Sequence, residues 1–356
     1  VGGSRAGAAV QVAQRPPMGW NSFDCYGCRI NEQEFRQTVD CMAERLLPLG
    51  WEYAVIDYIW FNPAPGAWDH PNRRFGHPDV RLADDGRPLD RFAIDKYARL
   101  LPAPERFPSA AEGAGFKPIA DYVHRKGLKF GIHIMRGIAR EAYFDDLPIK
   151  GTDYTARDIA EPWDTCNWCK NMFGVDASKP GAQEYYDSLF ELYAAWGVDY
   201  VKADDTMYPP YHAGEIELMR KAIDKCGRPI VLSLSCGDAP VSRARHLAKH
   251  ANLWRVSGDL WDEWPLVKRN FELLNCRSPF IGPGHWPDAD MLPIGHLSLE
   301  GRPHGPDRQS MLTWDEHVTM MTLWCIARSP SRRFSDGSIA QEFRVLDADG
   351  DIFLPR

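Results

Sequence analysis

Residues 198–205, VDYVKADD, form an apolar run of strand-forming side chains that ends in a lysine and two aspartates. A strand that is apolar along its length is buried on both faces, as strands of parallel sheets are. Lys202 and Asp204 lie two residues apart, so the period of two sends them to the same side. The stretch just before it, PGAQEYYDSLFELYAAWG (180–197), has helical spacing and closes on Gly197. The same helix-then-strand unit recurs elsewhere. In NEQEFRQTVDCMAERLLPLG (31–50), Phe35, Val39, Met42, Leu46 and Leu47 recur at helical spacing, and Gly50 can cap the end. FKPIADYVHRKG (116–127) repeats the pattern before another strand.

Working outward, strands are predicted at 18–23, 53–60, 128–135, 198–205, 229–235, 253–259 and 278–284, with helices between them. Serial strand–helix units give a parallel sheet. With an eighth strand due after the helix at 313–327, the prediction is an α/β fold of the (β/α)8 TIM barrel type. A doubly wound sheet is the rival, but no G-x-G-x-x-G follows the first strand. Residues 1–14 are small and polar, as a trimmed or disordered leader would be, which suits a secreted or periplasmic protein. Residues 15–328 form the expected barrel, and 329–356 a divergent or truncated C-terminal segment.

Composition narrows the function classes. The chain of 356 residues is 44% hydrophobic and 26% charged, which is ordinary for a globular protein. Its net charge of −7, with Lys and Arg scattered among Asp and Glu, argues against a nucleic-acid partner. No stretch approaches the roughly 20 apolar residues that span a bilayer, so no membrane partner is expected. Of nine cysteines, four form Cys25-x-x-Cys28 and Cys166-x-x-Cys169. Zinc ribbons separate such pairs by about 15–20 residues, and these lie much farther apart, so local disulfides or buried thiols are expected instead.

In a (β/α)8 barrel the C-terminal strand ends converge on one mouth, where the chemistry is done. Those ends carry Trp20 and Phe23, Asp57 and Tyr58, His133 and Arg136, Lys202 with Asp204 and Asp205, Ser235 and Cys236, Arg255 and Asp259, and Asp288 with Asp290. Any one aspartate here is as readily a helix N-cap, and His133 a satisfied core histidine. Together they make a carboxylate-rich mouth with basic and aromatic walls. Two carboxylates across a bound ring are what glycoside hydrolysis requires. Lys202 would hold Asp204 ionised, as a nucleophile must be. His285, Asp288 and Asp290 could be read as metal ligands, but one histidine and two acids within a short loop are a weak signal. DADGD (347–351) lacks the spacing of a calcium loop.

Six motifs, RPPMGWNSFDCYG, GWEYAVIDYIW, FPSAAEGAGFKPIADYVHRKGLKFGIH, WGVDYVKADD, WRVSGDLWDEW and GPGHWPDADMLPIG, occur in an order similar to that of glycoside hydrolase family 27. The chain resembles this α-galactosidase (melibiase) family over about residues 15–328. The resemblance implies a retaining (β/α)8 enzyme with Asp204 as nucleophile, Asp259 as acid/base, and no metal or organic cofactor. It implies an oligosaccharide or polysaccharide substrate. Asp57, Lys202 and Arg255 match sugar contacts, and Asp290 and Trp20 lie in matching segments near the mouth; Tyr58, His133, Ser235 and Cys236 complete the expected binding set.

Three departures from the family pattern stand out. Its paired aspartates appear here as Asp57-Tyr58, which bears on sugar choice. The fifth strand ends SLSCGDAP rather than in a Cys-Glu-Trp type of segment. After CIARSP the family has an apolar eighth strand and a C-terminal β domain, whereas this chain continues SRRFSDGS, so both are expected to be lost or altered. The expected substrate is a terminal α-D-galactoside, with a β-L-arabinopyranoside or an isomaltose-releasing α-glucan hydrolase as alternatives, and a catalytically dead sugar-binding barrel as the reading from another class.

Overall fold

Side chains on the inner strands alternate between two sets of neighbours. Tyr53, Val55, Tyr200, Val231 and Leu253 pack with one another, while Ala54, Ile56, Val201, Leu232 and Trp254 join the much larger core shared with the helices. Such alternation is what a curled parallel sheet with an outer helical layer requires. The computed structural model describes residues 12–65, 82–89, 91–166, 168–299 and 305–333.

Eight strands follow one another around the sheet: β1 Met18–Asn21, β2 Tyr53–Ile56, β3 Lys129–Met135, β4 Tyr200–Asp204, β5 Val231–Leu234, β6 Leu253–Arg255, β7 Trp286–Asp288 and β8 Ser331–Arg333. Every adjacent pair from β1 to β7 is parallel, and β8 pairs in parallel with β1, with Met18 opposite Ser331. The eighth strand is therefore altered rather than absent. It is three residues long and includes the two arginines of SRRFSDGS. Its approach is fixed beside β7: Ala289 N donates to Ser329 Oγ at 2.9 Å, and Trp324 Nε1 donates to the Asp290 carbonyl at 3.2 Å. The segment RVLDADGDIFL lies outside the described residues. One prediction is corrected. Residues 278–284 are a short turn and loop, and the seventh strand is Trp286–Asp288, because Pro279 and Pro283 remove the amides that a ladder would need.

The longer helices between the strands are α1 Glu32–Arg45, α2 Lys117–Arg125, α3 Ala182–Trp196, α4 Ala213–Lys225, α5 Ala244–His250, α6 Trp264–Arg277 and α7 Trp314–Ala327. Asn31 and Glu34 form a reciprocal capping box on α1, which buries Phe35, Val39 and Met42 as the spacing predicts. The helix stops before the predicted end because Pro48 has no amide for the next turn; a tight turn, Leu47–Leu49, carries the chain to Gly50 at φ 86°. Behind β3, Trp60, Phe116 and Trp196 meet edge to face, with centroids 5.1 to 6.3 Å apart. Gly115 lies so close that a Cβ there would stand 2.0 Å from Trp196 Nε1. The loop after β3 adds a small antiparallel sheet of Ile138–Ala139, Ala160–Glu161 and Met172–Val175 over the same end of the barrel. No described helix is long and apolar enough to cross a membrane.

Candidate active site

The register of the strands brings the charged side chains together. His133 on β3 is opposite Lys202 on β4, and Asp57 follows Ile56, which is opposite Ile132. These three form one row inside the sheet. Lys202 Nζ donates to Asp57 Oδ2 at 2.9 Å, and Asn21 Nδ2 donates to the same oxygen. Tyr58 N donates to Asp57 Oδ1 at 2.8 Å, so both oxygens are occupied. Burial works to raise the Asp57 carboxyl, but Lys202 and His133, followed by the Asn21 hydrogen bond, outweigh it and bring its pKa down to about 2.

Asp204 ends β4 on the same inward side as Lys202, as the period of two predicts. Its hydrogen bonds come from elsewhere: His133 Nε2 lies 3.1 Å from Oδ2, and Asp205 N donates to Oδ1 at 2.6 Å. The Cys236 thiol makes a further hydrogen bond to this carboxylate. Burial raises the Asp204 carboxyl, but the His133 bond and charge, the charge of Lys202 and the Cys236 bond together hold it well below the usual carboxylate range. His133 is thus the direct partner of Asp204, with Lys202 acting through its charge. The charge of Lys202 acts on Asp204 as the sequence suggested, and the His133 contact is an addition that the sequence did not give.

Asp259 and Arg255 occupy the far side of the mouth. Arg255 is 1% exposed, and its Nη2 is 3.2 Å from Asp259 Oδ1. Its Nη1 is 2.7 Å from Asp290 Oδ1, while Asp290 Oδ2 accepts from Leu260 N at 2.7 Å. Asp290 adopts φ 81°, a strained conformation held by these contacts. Burial, with Asp259 and Asp288 adding to it against Arg255, raises the Asp290 carboxyl. The Asp259 side chain is 48% exposed, so it can reach a leaving group at the rim while Asp204 stays enclosed. The Cys236 thiol lies near both carboxylates: burial pushes its pKa well up, and Asp204 and then Asp259 push it further.

Several predicted site residues take other roles. Trp20 points outward, its ring 6.1 Å from Phe35 on α1 and 6.2 Å from Tyr26; its neighbour Asn21 faces the site instead. Arg136 ties the loops together, with Nη2 2.8 Å from Asp164 Oδ1, Nη1 2.9 Å from Glu215 and Nη2 3.0 Å from Asp205 Oδ2. Asp205 is therefore held in that clamp beside Asp204. Tyr58 is buried, its ring edge-on to His133 at 5.4 Å and to Trp168 at 5.8 Å, and its hydroxyl donates to Cys169 Sγ at 3.0 Å. Ser235 Oγ is buried with no hydrogen-bond partner among the described residues. The Cys25, Cys28, Cys166 and Cys169 side chains are buried thiols, and all nine cysteines are unbridged.

Two residues that the strand ends did not point to also belong here. Tyr208, on the loop after β4, hydrogen-bonds to Cys236 and lies in the field of Asp259. Its ring covers Gly237, where a Cβ would stand 2.8 Å from Tyr208 Cδ1. Asp24 follows Phe23, and the charges acting on it are those of Asp290, Asp259, Lys202 and Asp57. A strand-end rule misses both, since one lies beyond its strand on a loop and the other in a helical turn, Phe23–Tyr26.

Among the described residues, two sets of donors lie within 4.8 Å of one another, Glu217 with His246 and His250, and Asp164 with His212 and Glu215. The second already holds the Arg136 guanidinium. His285, Asp288 and Asp290 form no such set; the His285 ring stacks on Trp254, with centroids 5.9 Å apart.

A paired acid site at one end of a parallel barrel invites comparison with known proteins. A wild-type glycoside hydrolase family 27 β-L-arabinopyranosidase from Geobacillus stearothermophilus superposes with a TM-score of 0.83 at 49% identity, covering 91% of this chain and 72% of that one. The chain belongs to glycoside hydrolase family 27. A variant of the same family 27 protein, solved with arabinose, gives a TM-score of 0.84 at 48% identity, again over 91% and 72% of the two chains. The family model described as alpha galactosidase A matches residues 171–344. More distant family 27 relatives include an alpha-galactosidase of Cyamopsis tetragonoloba, 28% identical over 90% of this chain and 58% of that protein. An alpha-N-acetylgalactosaminidase of Gallus gallus is 29% identical over 90% of this chain and 64% of that protein. The chain thus spans less than two thirds of the length of these two relatives.

Proposed function

We propose that this family 27 protein is a retaining exo-glycosidase that removes terminal β-L-arabinopyranosyl residues by double displacement. Asp204 attacks the anomeric carbon as Asp259 gives its proton to the departing glycosidic oxygen. The covalent glycosyl–Asp204 ester is then attacked by water, and Asp259 takes the water's proton as Asp204 leaves. The low pKa of Asp204 keeps the attacking oxygen ionised at neutral pH, and Arg255 orients Asp259. Asp57 and Lys202 are placed to hold ring hydroxyls as acceptor and donor. The two carboxyl groups are expected about 5–5.5 Å apart, as in retaining enzymes.

The observation that carries the choice of sugar is Tyr58. β-L-Arabinopyranose and α-D-galactopyranose share the configuration of their ring hydroxyls, and differ in that galactose bears a hydroxymethyl group on C5. Where a second acid would offer a partner for sugar hydroxyls, this chain has a buried phenol whose hydroxyl is engaged by Cys169. A ring in place of a carboxylate favours the sugar with the fewer hydroxyls. Similarity to the Geobacillus protein supports the same choice. An α-D-galactoside, the substrate first expected from the sequence, is the second reading, since Asp57, Lys202, Arg255 and Asp290, which match the family's segments, are all at the mouth.

The test is hydrolysis of 4-nitrophenyl β-L-arabinopyranoside, α-D-galactopyranoside and α-D-glucopyranoside, with dextran alongside. The reading requires the arabinopyranoside to give the highest kcat/KM. A faster galactoside moves the substrate but keeps the mechanism. Failure to cleave any of them, by protein that still binds L-arabinose, would make this a sugar-binding barrel and sink the enzyme reading.

A further inference from the structure

Asp24 is fully buried, and neither of its carboxyl oxygens has a hydrogen-bond partner among the described residues. Other buried acids are met. Asp57 is held by Asn21, Lys202 and a backbone amide; Glu215 by Arg136 and Tyr186; Asp262 by Arg308 and Met311 N. Among the described residues Asp24 alone is a buried acid with both oxygens unmet. Native interiors rarely leave such groups unpaired, and those that do so usually have a ligand or water to complete them.

The position of Asp24 points to which of these it is. It follows Phe23, whose ring faces Lys202 Nζ at 5.8 Å. The charged groups that act on it are Asp290, Asp259, Lys202 and Asp57, from the ends of β7, β6, β4 and β2. These are the groups arranged around the sugar site, so Asp24 adjoins the same space from the turn after β1. Its backbone is tied down separately, with Ser298 N donating to the Asp24 carbonyl at 2.7 Å, so the fold holds the residue without using its carboxyl.

We propose that Asp24 is a further sugar-binding residue of this site, its carboxyl completed by hydroxyls of the pyranose that Asp57 and Lys202 also hold. The proposal rests on the glycosidase reading. Burial, followed by the nearby negative charges of Asp290 and Asp259, raises the Asp24 carboxyl well above its ordinary range. A neutral carboxylic acid both donates and accepts, which the ionised Asp57 cannot do. It also adds no further negative charge beside the acid/base. A carboxyl kept for a ligand should weigh against stability when the ligand is absent, and this separates the proposal from a structural role.

The experiment uses the full chain as wild type, Asp24→Asn and Asp24→Leu. It measures thermal melting without sugar, L-arabinose affinity by calorimetry, and kcat/KM on the nitrophenyl arabinopyranoside and galactopyranoside. Asp24→Leu should melt no lower than wild type, yet lose at least tenfold in both L-arabinose affinity and kcat/KM. Asp24→Asn, which keeps a donor and an acceptor, should lose less, though at least threefold. Affinity and kcat/KM within twofold of wild type in both variants would overturn the proposal. So would a lower melting temperature in both with unchanged affinity, which would mark a structural acid. If Asp24→Leu does not fold, the Asn variant decides on the same thresholds. A wild type that cleaves no glycoside but binds L-arabinose through Asp24 defeats the functional reading and leaves this proposal standing; no sugar binding at all defeats both.

Discussion

His133 Nε2 and Asp204 Oδ2 stand 3.1 Å apart, on neighbouring strands and both enclosed. This contact sets the charge state of the proposed nucleophile. His133 also touches the rest of the row, since its ring faces Tyr58 and its carbonyl accepts from Trp60 Nε1 at 2.6 Å. Replacing His133 with Ala removes the hydrogen bond and lets the Asp204 carboxyl rise towards its ordinary value. The acid limb of the pH profile of kcat/KM should move to higher pH, with a fall of about 10- to 100-fold at neutral pH. An unshifted acid limb would mean that Lys202 alone sets the nucleophile's charge.

Asp204→Asn should reduce kcat on the arabinopyranoside by roughly 10⁴- to 10⁶-fold, the upper figure being about what removal of a nucleophile costs in a well-studied hydrolase, while the far-UV spectrum and melting curve stay close to wild type. Asp204→Ala with added azide gives a finer check. Azide can occupy the vacated space and attack the anomeric carbon, so an arabinosyl azide of inverted configuration should form. Azide rescue without that product, or turnover kept by the Asn variant, would assign the nucleophile elsewhere.

The Asp57–Lys202 pair gives an acid-stability signature. The Asp57 pKa is depressed to about 2 in the folded protein. Its contribution is therefore fully present above the ordinary carboxylate value near 4 and lost as the pH falls through about 2. That contribution is about 2 kcal/mol, since each tenfold gain in acidity on folding corresponds to about 1.4 kcal/mol. Asp57→Asn should be less stable at neutral pH, because Lys202 loses its buried partner, and should bind up to one proton fewer on unfolding between pH 4 and 2. Urea titrations across that window measure the slope. Equal slopes in both proteins would mean that Asp57 is not held ionised.

Arg255 joins Asp290 to Asp259, the proposed acid/base. Arg255→Met leaves Asp290 buried without its cation, a change that costs about 3–5 kcal/mol in comparable pairs, and it frees Asp259. Stability and kcat should fall together. The double variant Arg255→Met, Asp290→Asn should regain much of the stability but little of the activity. Recovery of both would make the pair purely structural.

Tyr58→Asp restores the second acid of the family pattern. It should raise the ratio of kcat/KM for the galactopyranoside over the arabinopyranoside by at least tenfold, consistent with the discrimination that one buried hydrogen-bonding group can give. Tyr58→Phe, which only releases Cys169, should leave the ratio within about threefold. A ratio unchanged in the Asp variant would remove Tyr58 from the determinants of specificity.

Much of this protein could be read directly from its sequence, because the signals were local. Apolar runs ending in charge, and helices closing on Gly50 and Gly197, follow from backbone and side-chain periodicity over a few residues. The same period placed Lys202 and Asp204 on one side of β4. The seventh strand was misplaced by several residues, since the prolines at 279 and 283 sit in a stretch that is apolar for packing rather than for pairing. Trp20 was assigned to the wrong face because four-residue strands leave little alternation from which to judge orientation.

The chain by itself thus determined the barrel order, the inward side of each central strand, and the acids available at the mouth. Only the tertiary structure decided who partners whom. Register across β2, β3 and β4 gave Lys202's hydrogen bond to Asp57 and His133's contact to Asp204, while the Lys202 charge still acts on Asp204 as proximity in sequence suggested. Folding also enclosed Asp24 among charges from four separate strand ends without giving its carboxyl a partner. Hydrogen bonds and desolvation depend on distances between residues far apart in the chain. Those distances exist only once the sheet has curled and the loops have closed over its end.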